Sequence, residues 1–372
     1  MNEKQKQKAG DNSQQMQANT IIVNNGIEEK RAREIFIEMF DVARKDLTME
    51  ASIIATQRVT EFENDLIPKI MAIDGAVNAF ADPGFQLLLT SAHRTAAVSE
   101  RPLDYSILSE LLIHRIEKGS NIKTRAGIKQ AIQIIDEVSD DALLGLTIAY
   151  AVETFTPRSN KINDGLNLLD NLFGNLCYDL LPQNREWLEH LDILDAVRLS
   201  NLGSLKKFED FYAERIDGYC AIGIKRDSEK HNKILDLFVK NSLPKDLLIE
   251  HEFNKDFVRL TVANERDIND IHLVVKINGL DDLHPIRIPI SEKQKLILHE
   301  VYEMYEHDEG LLKENKRKLT DELAKRTYLG RVREWWNNIP SSFEITVIGK
   351  VLAHANAKRC DKTLPSIDSL KK

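Results

Sequence analysis

The sequence predicts a mainly α protein: a helical bundle or short α-solenoid, with an N-terminal β-prone oligomerisation strand and a small mixed α/β C-terminal region. Three observations predict it. Apolar residues recur at spacings of three and four along residues 28–217, the period of one helix face, and prolines and glycines punctuate the runs. Beyond Gly218 the runs become short, β-branched and bounded by turn residues. Ahead of both, residues 9–27 are polar, amide-rich and β-prone.

Residues 1–8 are charged and amide-rich with nothing to bury, and are expected to be a disordered tail. In the leader, residues 9–27, strand alternation puts Asn19, Ser13, Gln15, Gln17, Ile21 and Val23 on one face and Gln14, Met16, Ala18, Thr20 and Ile22 on the other. Neither face is a core face. A lone strand leaves both backbone edges unpaired, so the stretch from Asn12 to Val23 is expected to pair, with a copy of itself as the first candidate.

From Ile27 the period becomes helical. Val59, Phe62, Leu66, Ile70, Ile73, Val77 and Phe80 form an a/d-like seam, expected to help self-association. Pro68 lies inside it and would cost about 3 kcal/mol in a helix interior. Either the helix kinks there, or Asp65 caps a second helix with Pro68 in its first turn. Further helices are expected over 85–98, 103–118, 124–138, 141–155, 163–177, 185–199 and 205–216. These make a helical domain over 28–217, followed by a mixed region over 218–290 with strands near 257–262, 271–277 and 286–290. A C-terminal helical region, 291–359, carries helices from Ser291 to about Asp308, over 311–326 and over 329–337, and 360–372 is a tail.

With 42% hydrophobic residues the chain can bury a core, while a formal net charge of −8 argues against coating nucleic acid or anionic lipid by bulk electrostatics. Three widely separated cysteines fit neither a disulfide framework nor paired metal-ligand spacing, so a reducing cytoplasm is expected. No secretory signal is read at the N-terminus. The longest apolar-leaning stretch, 142–152, is too short to span a bilayer, so no membrane is expected.

Two stretches could carry chemistry. His299, Glu303 and His307 recur every four residues and would line one side of a helix as metal ligands, against the plainer reading of a solvated acidic face. Lys313 to Trp336 is rich in cations: Lys316, Arg317, Lys318, Arg326, Arg331 and Arg333 are the candidates for nucleic-acid contact, against the plainer reading of a solvated helix face. Behind them Phe343 to Ala353 resembles the strand-to-helix exit of a winged-helix domain, with Thr346 as N-cap. A hydrolase reading of Ser91, His93 and Asp104 has no motif to fix its geometry, and phosphate-loop signatures are missing. No cofactor is expected.

The leader's Ala9-Gly10-Asp11-Asn12-Ser13, Gln17-Ala18 and Ile21-Ile22-Val23 resemble the Gly-Asp-Asn-Ser…Gln-Ala leaders of an uncharacterised bacterial family, some members of which occur in phage-defence settings. The closing T-x-x-G-K-x-L-A-H-A-N stretch, from Thr346, adds to the resemblance. It implies a β-assembly element with amide ladders between copies, and no catalytic residues. The expectation is a self-associating cytoplasmic scaffold or sensor without enzymatic activity, whose partners are itself and a neighbouring effector protein; a DNA-binding regulator comes second and a metal-dependent enzyme third.

Overall fold

The computed structural model describes residues 29–44, 48–117, 121–200, 203–275 and 286–367. The leader, with Asn12, Ser13, Gln15, Gln17, Ile21 and Val23, lies outside the described residues.

In α1 (Glu29–Arg44), Ala32, Ile35, Phe36 and Phe40 turn inward at helical spacing. α2 (Met49–Met71) starts at Thr48, whose hydroxyl accepts the Ala51 amide at 3.5 Å. The helix continues past Pro68 for three residues only, so the proline falls in the last turn, and Asp65 pairs with Lys69 at 2.7 Å instead of capping a new helix. Gly75, at φ +71°, then turns the chain into a 3-10 segment, Ala76–Ala81, that seats Phe80 in the core. The expected seam is therefore carried by two elements.

α3 (Pro83–Val98), α4 (Pro102–Glu117), α5 (Ile122–Ile134), α6 (Asp140–Thr154) and α7 (Ile162–Leu176) fall within a few residues of expectation. Their starts are chemically marked: Asp82 accepts the Gly84 amide ahead of Pro83, and Asn121 accepts the Thr124 amide. The helix expected over 185–199 stops early as α8 (Glu186–Ile193). Asp195 adopts φ +59°, and β1 (Val197–Ser200) pairs antiparallel with Ser342–Ile345, a partner that local spacing cannot reveal.

α9 (Phe208–Arg215) and α10 (Asp217–Cys220) lead into a smaller module. There β2 (Ile224–Lys225), α11 (Glu229–Lys240), β3 (Leu248–Glu250) and β4 (Phe257–Leu260) make an antiparallel sheet in the order β2-β4-β3 with a helix beside it. A hairpin-like pair, β5 (His272–Val275) and β6 (Ile286–Pro289), and α12 (Glu292–Glu303) complete it. The chain then returns as α13 (Glu309–Lys325), α14 (Thr327–Asn337), β7 (Ser342–Ile345) and α15 (Val347–Cys360).

Two hydrophobic cores result. One gathers buried residues from Ala32 to Cys220, Ala263, and again residues from Leu319 to Ile367; the other gathers residues between Ile224 and Tyr305. The stretch expected as one C-terminal region, 291–359, is thus divided, with α12 in the second core and α13 to α15 in the first. α15 packs on α4, α5 and α6, and α14 packs on α7. Late helices that return into the body make a bundle rather than a solenoid, in which each unit stacks on its predecessor.

Candidate interaction surface

The seam residues Val59, Phe62, Leu66 and Ile70 are each no more than 1% exposed. α2 uses that face against α3 and α4 of its own chain, so the four are not available to a second copy. An a/d-like stripe identifies a buried face without saying whose helix covers it. The outward face of α2 is different. Its first two turns expose Met49 (79%), Ile53 (66%) and Ile54 (52%), and only then does the face become polar with Gln57, Thr60, Glu61 and Asn64.

Exposed apolar side chains also occur on α1 and α3. Val42, near the end of α1, is exposed. Arg58, one turn beyond Ile54, donates to the carbonyls of Ala97 (3.2 Å) and Val98 (3.0 Å), which ties α2 to the end of α3, where Val98 is exposed. Val42, Met49, Ile53, Ile54 and Val98 are thus exposed apolar residues on three helices, α1, α2 and α3, of which α3 packs on both of the others. The rim carries both signs, with Glu50 and an Arg58–Glu100 pair at 3.3 Å.

The basic segment is largely committed to intramolecular contacts. Arg333 makes two bonds to Glu209 of α9 (3.2 and 3.3 Å), and Arg331 donates to the Asp179 carbonyl at 3.2 Å. Arg326, at the α13–α14 junction, bonds Asn167 (3.2 Å), Asn163 (3.1 Å) and the Glu322 carbonyl (2.6 Å). Lys318 bonds the Phe253 carbonyl and Glu314, both at 2.7 Å, and Arg317 pairs with Asp321 at 3.2 Å. Lys316 is exposed on the same helix. Arg333, Arg331, Arg326 and Lys318 each reach an acceptor on a distant segment, whereas Arg317 pairs within its own helix.

The winged-helix resemblance gives way on topology. β7 pairs with β1 and not with a neighbouring wing strand, and α15 is enclosed by α4, α5 and α6 where a recognition helix would face solvent. Thr346 does cap α15, accepting the Gly349 amide at 3.2 Å. The rest of the closing stretch is structural. A Cβ at Gly349 would run into the Ala196 carbonyl, and Leu352, Ala353 and Ala355 are fully buried. His354 bonds the Pro365 carbonyl (3.0 Å), and the Asn356 amide donates to Thr147 (2.8 Å).

The three metal candidates part company. α12 ends at Glu303, so His307 lies off the helix, and the His299 ring is 3.0 Å from Glu265. Tyr305 explains the stop: it turns inward and its hydroxyl accepts the Leu260 amide at 2.6 Å. Among the described residues no group of three or more metal-ligating side chains is found. The hydrolase trio is also scattered. Ser91 bonds the Leu87 carbonyl, Asp104 is held by Ser99 and Arg101, and His93 is enclosed by Phe36, Phe40 and Phe62. Burial lowers the His93 pKa and raises that of Asp104.

Sequence reasoning missed the polar seam between the two cores. Arg259 of β4 is fully buried and donates to Glu252 (3.0 Å) and to the carbonyls of Asn160 (2.9 Å), Leu260 (3.1 Å) and Val262 (3.2 Å). Glu252 also accepts the Ile162 amide at 2.8 Å, tying the module to the start of α7. Beside it the His251 Nε2 lies 2.7 Å from the Ala221 carbonyl and its Nδ1 accepts the Phe253 amide at 3.0 Å, which fixes the neutral tautomer protonated on Nε2. Burial pushes its pKa down to about 4, with Arg259 and Lys318 adding to the shift. Asn315 of α13 donates to the Cys220 carbonyl at 3.1 Å. The available signal was an arginine inside an otherwise apolar β run.

Fold and surfaces together define a mainly α, two-core protein with a polar internal seam and exposed apolar residues on α1 to α3. A family model described only as “:-like” matches residues 26–368, and the chain belongs to that family. The description names no activity, and the match takes in only the last two residues of the leader, 26 and 27. No curated protein and no solved structure matches the chain. No helix among the described residues is long and apolar enough to cross a membrane.

Proposed function

We propose that the protein is a cytoplasmic, non-enzymatic scaffold or sensor that works by self-association, with a second copy docking on the exposed apolar residues of α1 to α3. The observation that carries the reading is the set of exposed apolar residues on the first turns of α2, Met49, Ile53 and Ile54, with Val42 and Val98 exposed on α1 and α3. Water is a poor solvent for such residues, and covering them with a second copy removes apolar area from both partners at once. The mixed-sign rim favours a copy over a strongly acidic or basic partner, because a two-fold contact must be complementary to itself. The leader, which resembles those of an uncharacterised bacterial family with some members in phage-defence settings, supplies a second element for pairing. α1 begins where Ala32 and Arg33 lie by Met71 and Phe80, at the far end of α2 from Met49.

Light scattering on the eluting full chain tests the reading. A mass of at least twice the 42.5 kDa protomer is expected, falling toward 42.5 kDa in an Ile53→Asp, Ile54→Asp double variant. Deleting residues 1–25 separately measures the leader's share. A protomer mass for the unaltered chain at every concentration rules out self-association, and an undiminished mass in the double variant removes Ile53 and Ile54 from it.

A further inference from the structure

The ends of α7 and α15 lie side by side, and each ends in a cysteine. Cys177 is the C-cap of α7 and Cys360 the last residue of α15. Three contacts bracket the two positions. The Asn175 side-chain amide donates to Asp361 at 3.1 Å, Asn356 donates to the Tyr178 hydroxyl at 3.3 Å, and the Arg359 guanidinium sits 5.1 Å from the Tyr178 ring centre. Residues 175–178 therefore run alongside residues 356–361, with one thiol in the midst of each stretch. Both cysteines are partly exposed free thiols resting on the first core, whereas Cys220 is buried. Arg359 donates from Nη2 to the Cys360 sulfur at 3.3 Å, placing a cation where a thiolate would form.

We propose that Cys177 and Cys360 form a reversible disulfide, made by exchange with a low-molecular-weight disulfide, that locks the end of α7 to the end of α15. The Cys360 thiolate attacks the small disulfide, forming a mixed disulfide and releasing one small thiolate. Cys177 then gives up its proton and attacks the Cys360 sulfur, expelling the second small thiolate. Two protein thiols are oxidised and one small disulfide is reduced to two thiols, so electrons and protons balance. The bond closes a long loop and fastens the segment after α15, whose Leu364 and Ile367 are buried and whose Leu364 carbonyl accepts from Lys358 at 2.9 Å. Burial raises both thiol pKa values, that of Cys177 to about 11, so the exchange is slow at neutral pH and quickens about tenfold per pH unit through the mildly alkaline range.

The test incubates the full chain with oxidised glutathione, alkylates remaining thiols in denaturant and maps non-reduced peptides. The expected result is a loss of two hydrogens, one labelled thiol at Cys220 and one cross-linked peptide joining the Cys177 and Cys360 segments, reversed by dithiothreitol. In Cys177→Ser, glutathione should remain attached to Cys360. Three alkylated thiols in the unaltered chain, a bond involving Cys220, a bond only between chains, or glutathione adducts without the cross-link would each overturn the proposal. The unaltered chain decides between these outcomes even if a variant fails to fold.

Discussion

Replacing Arg259 by methionine tests whether the polar seam holds the two cores together. The side chain is fully buried and makes four hydrogen bonds to protein acceptors, one of them to the Glu252 carboxylate. Removing one partner of a buried ion pair costs about 3–5 kcal/mol, because the other charge stays behind unpaired. The Glu252 side chain is 26% exposed, so water recovers part of that loss. The orphaned Asn160 and Val262 carbonyls add about 1 kcal/mol or more each. A total loss of about 3–5 kcal/mol follows. Glu252→Gln keeps an oxygen for Arg259 and for the Ile162 amide, and should cost less. All three tryptophans, Trp187, Trp335 and Trp336, belong to the first core, so their fluorescence follows the body while circular dichroism follows both cores. In urea, Arg259→Met should lose ellipticity before it loses the tryptophan signal. Coincident transitions with a midpoint shift worth less than about 1 kcal/mol would refute the role given to Arg259.

Stability should fall between about pH 6.5 and pH 4 through His251: the unfolded imidazole takes up a proton near 6.5, whereas the folded one resists until about 4, so the unfolded state binds more protons in that window. The full effect is about 3 kcal/mol, and His251→Gln should flatten this part of a pH series of urea midpoints. Gly349→Ala should lower the thermal midpoint by an amount worth about 1–3 kcal/mol, since its Cβ meets the Ala196 carbonyl, which the β1–β7 pairing holds in place. Arg326→Ala should cost about 1–3 kcal/mol in chemical unfolding by releasing α14 from Asn163 and Asn167, while exposed Lys316→Ala should stay within about 0.5 kcal/mol.

The helices were legible because their determinants are local: apolar spacing and polar starts such as Thr48, Asp82 before Pro83, Asn121, Ser291 and Thr346. What escaped depends on partners far along the chain. β1 forms against Ser342–Ile345, and α12 stops short of His307 where Tyr305 is drawn to β4. The candidate surface was half legible. The stripe from Val59 to Ile70 announced burial, and only the packed fold shows that α3 and α4 supply it while Met49, Ile53 and Ile54 face outward. The basic segment reads as a binding surface in one dimension, but Glu209, Asn163 and Asn167 reach it only after folding.

The position of α15 sets how the body must close. Val351, Leu352, Ala353, His354, Ala355, Asn356 and Ala357 are all at most 1% exposed, on a helix that packs on α4, α5 and α6. Its His354 ring lies 4.8 Å from that of His114 in α4, and Asn356 reaches Thr147 in α6. These faces of α4 to α6 remain uncovered until nearly the whole chain has been made, so the first core has a large share of contacts between distant residues, a feature that slows folding. Ending the chain at Thr346 should therefore expose the apolar faces of α4, α5 and α6 together, giving a product that binds a hydrophobic dye and lacks a cooperative melt followed by tryptophan fluorescence. A truncated chain that still melts cooperatively by that probe would mean that the elements up to β7 close a core without α15, and that the last helix is an addition to the bundle rather than its centre.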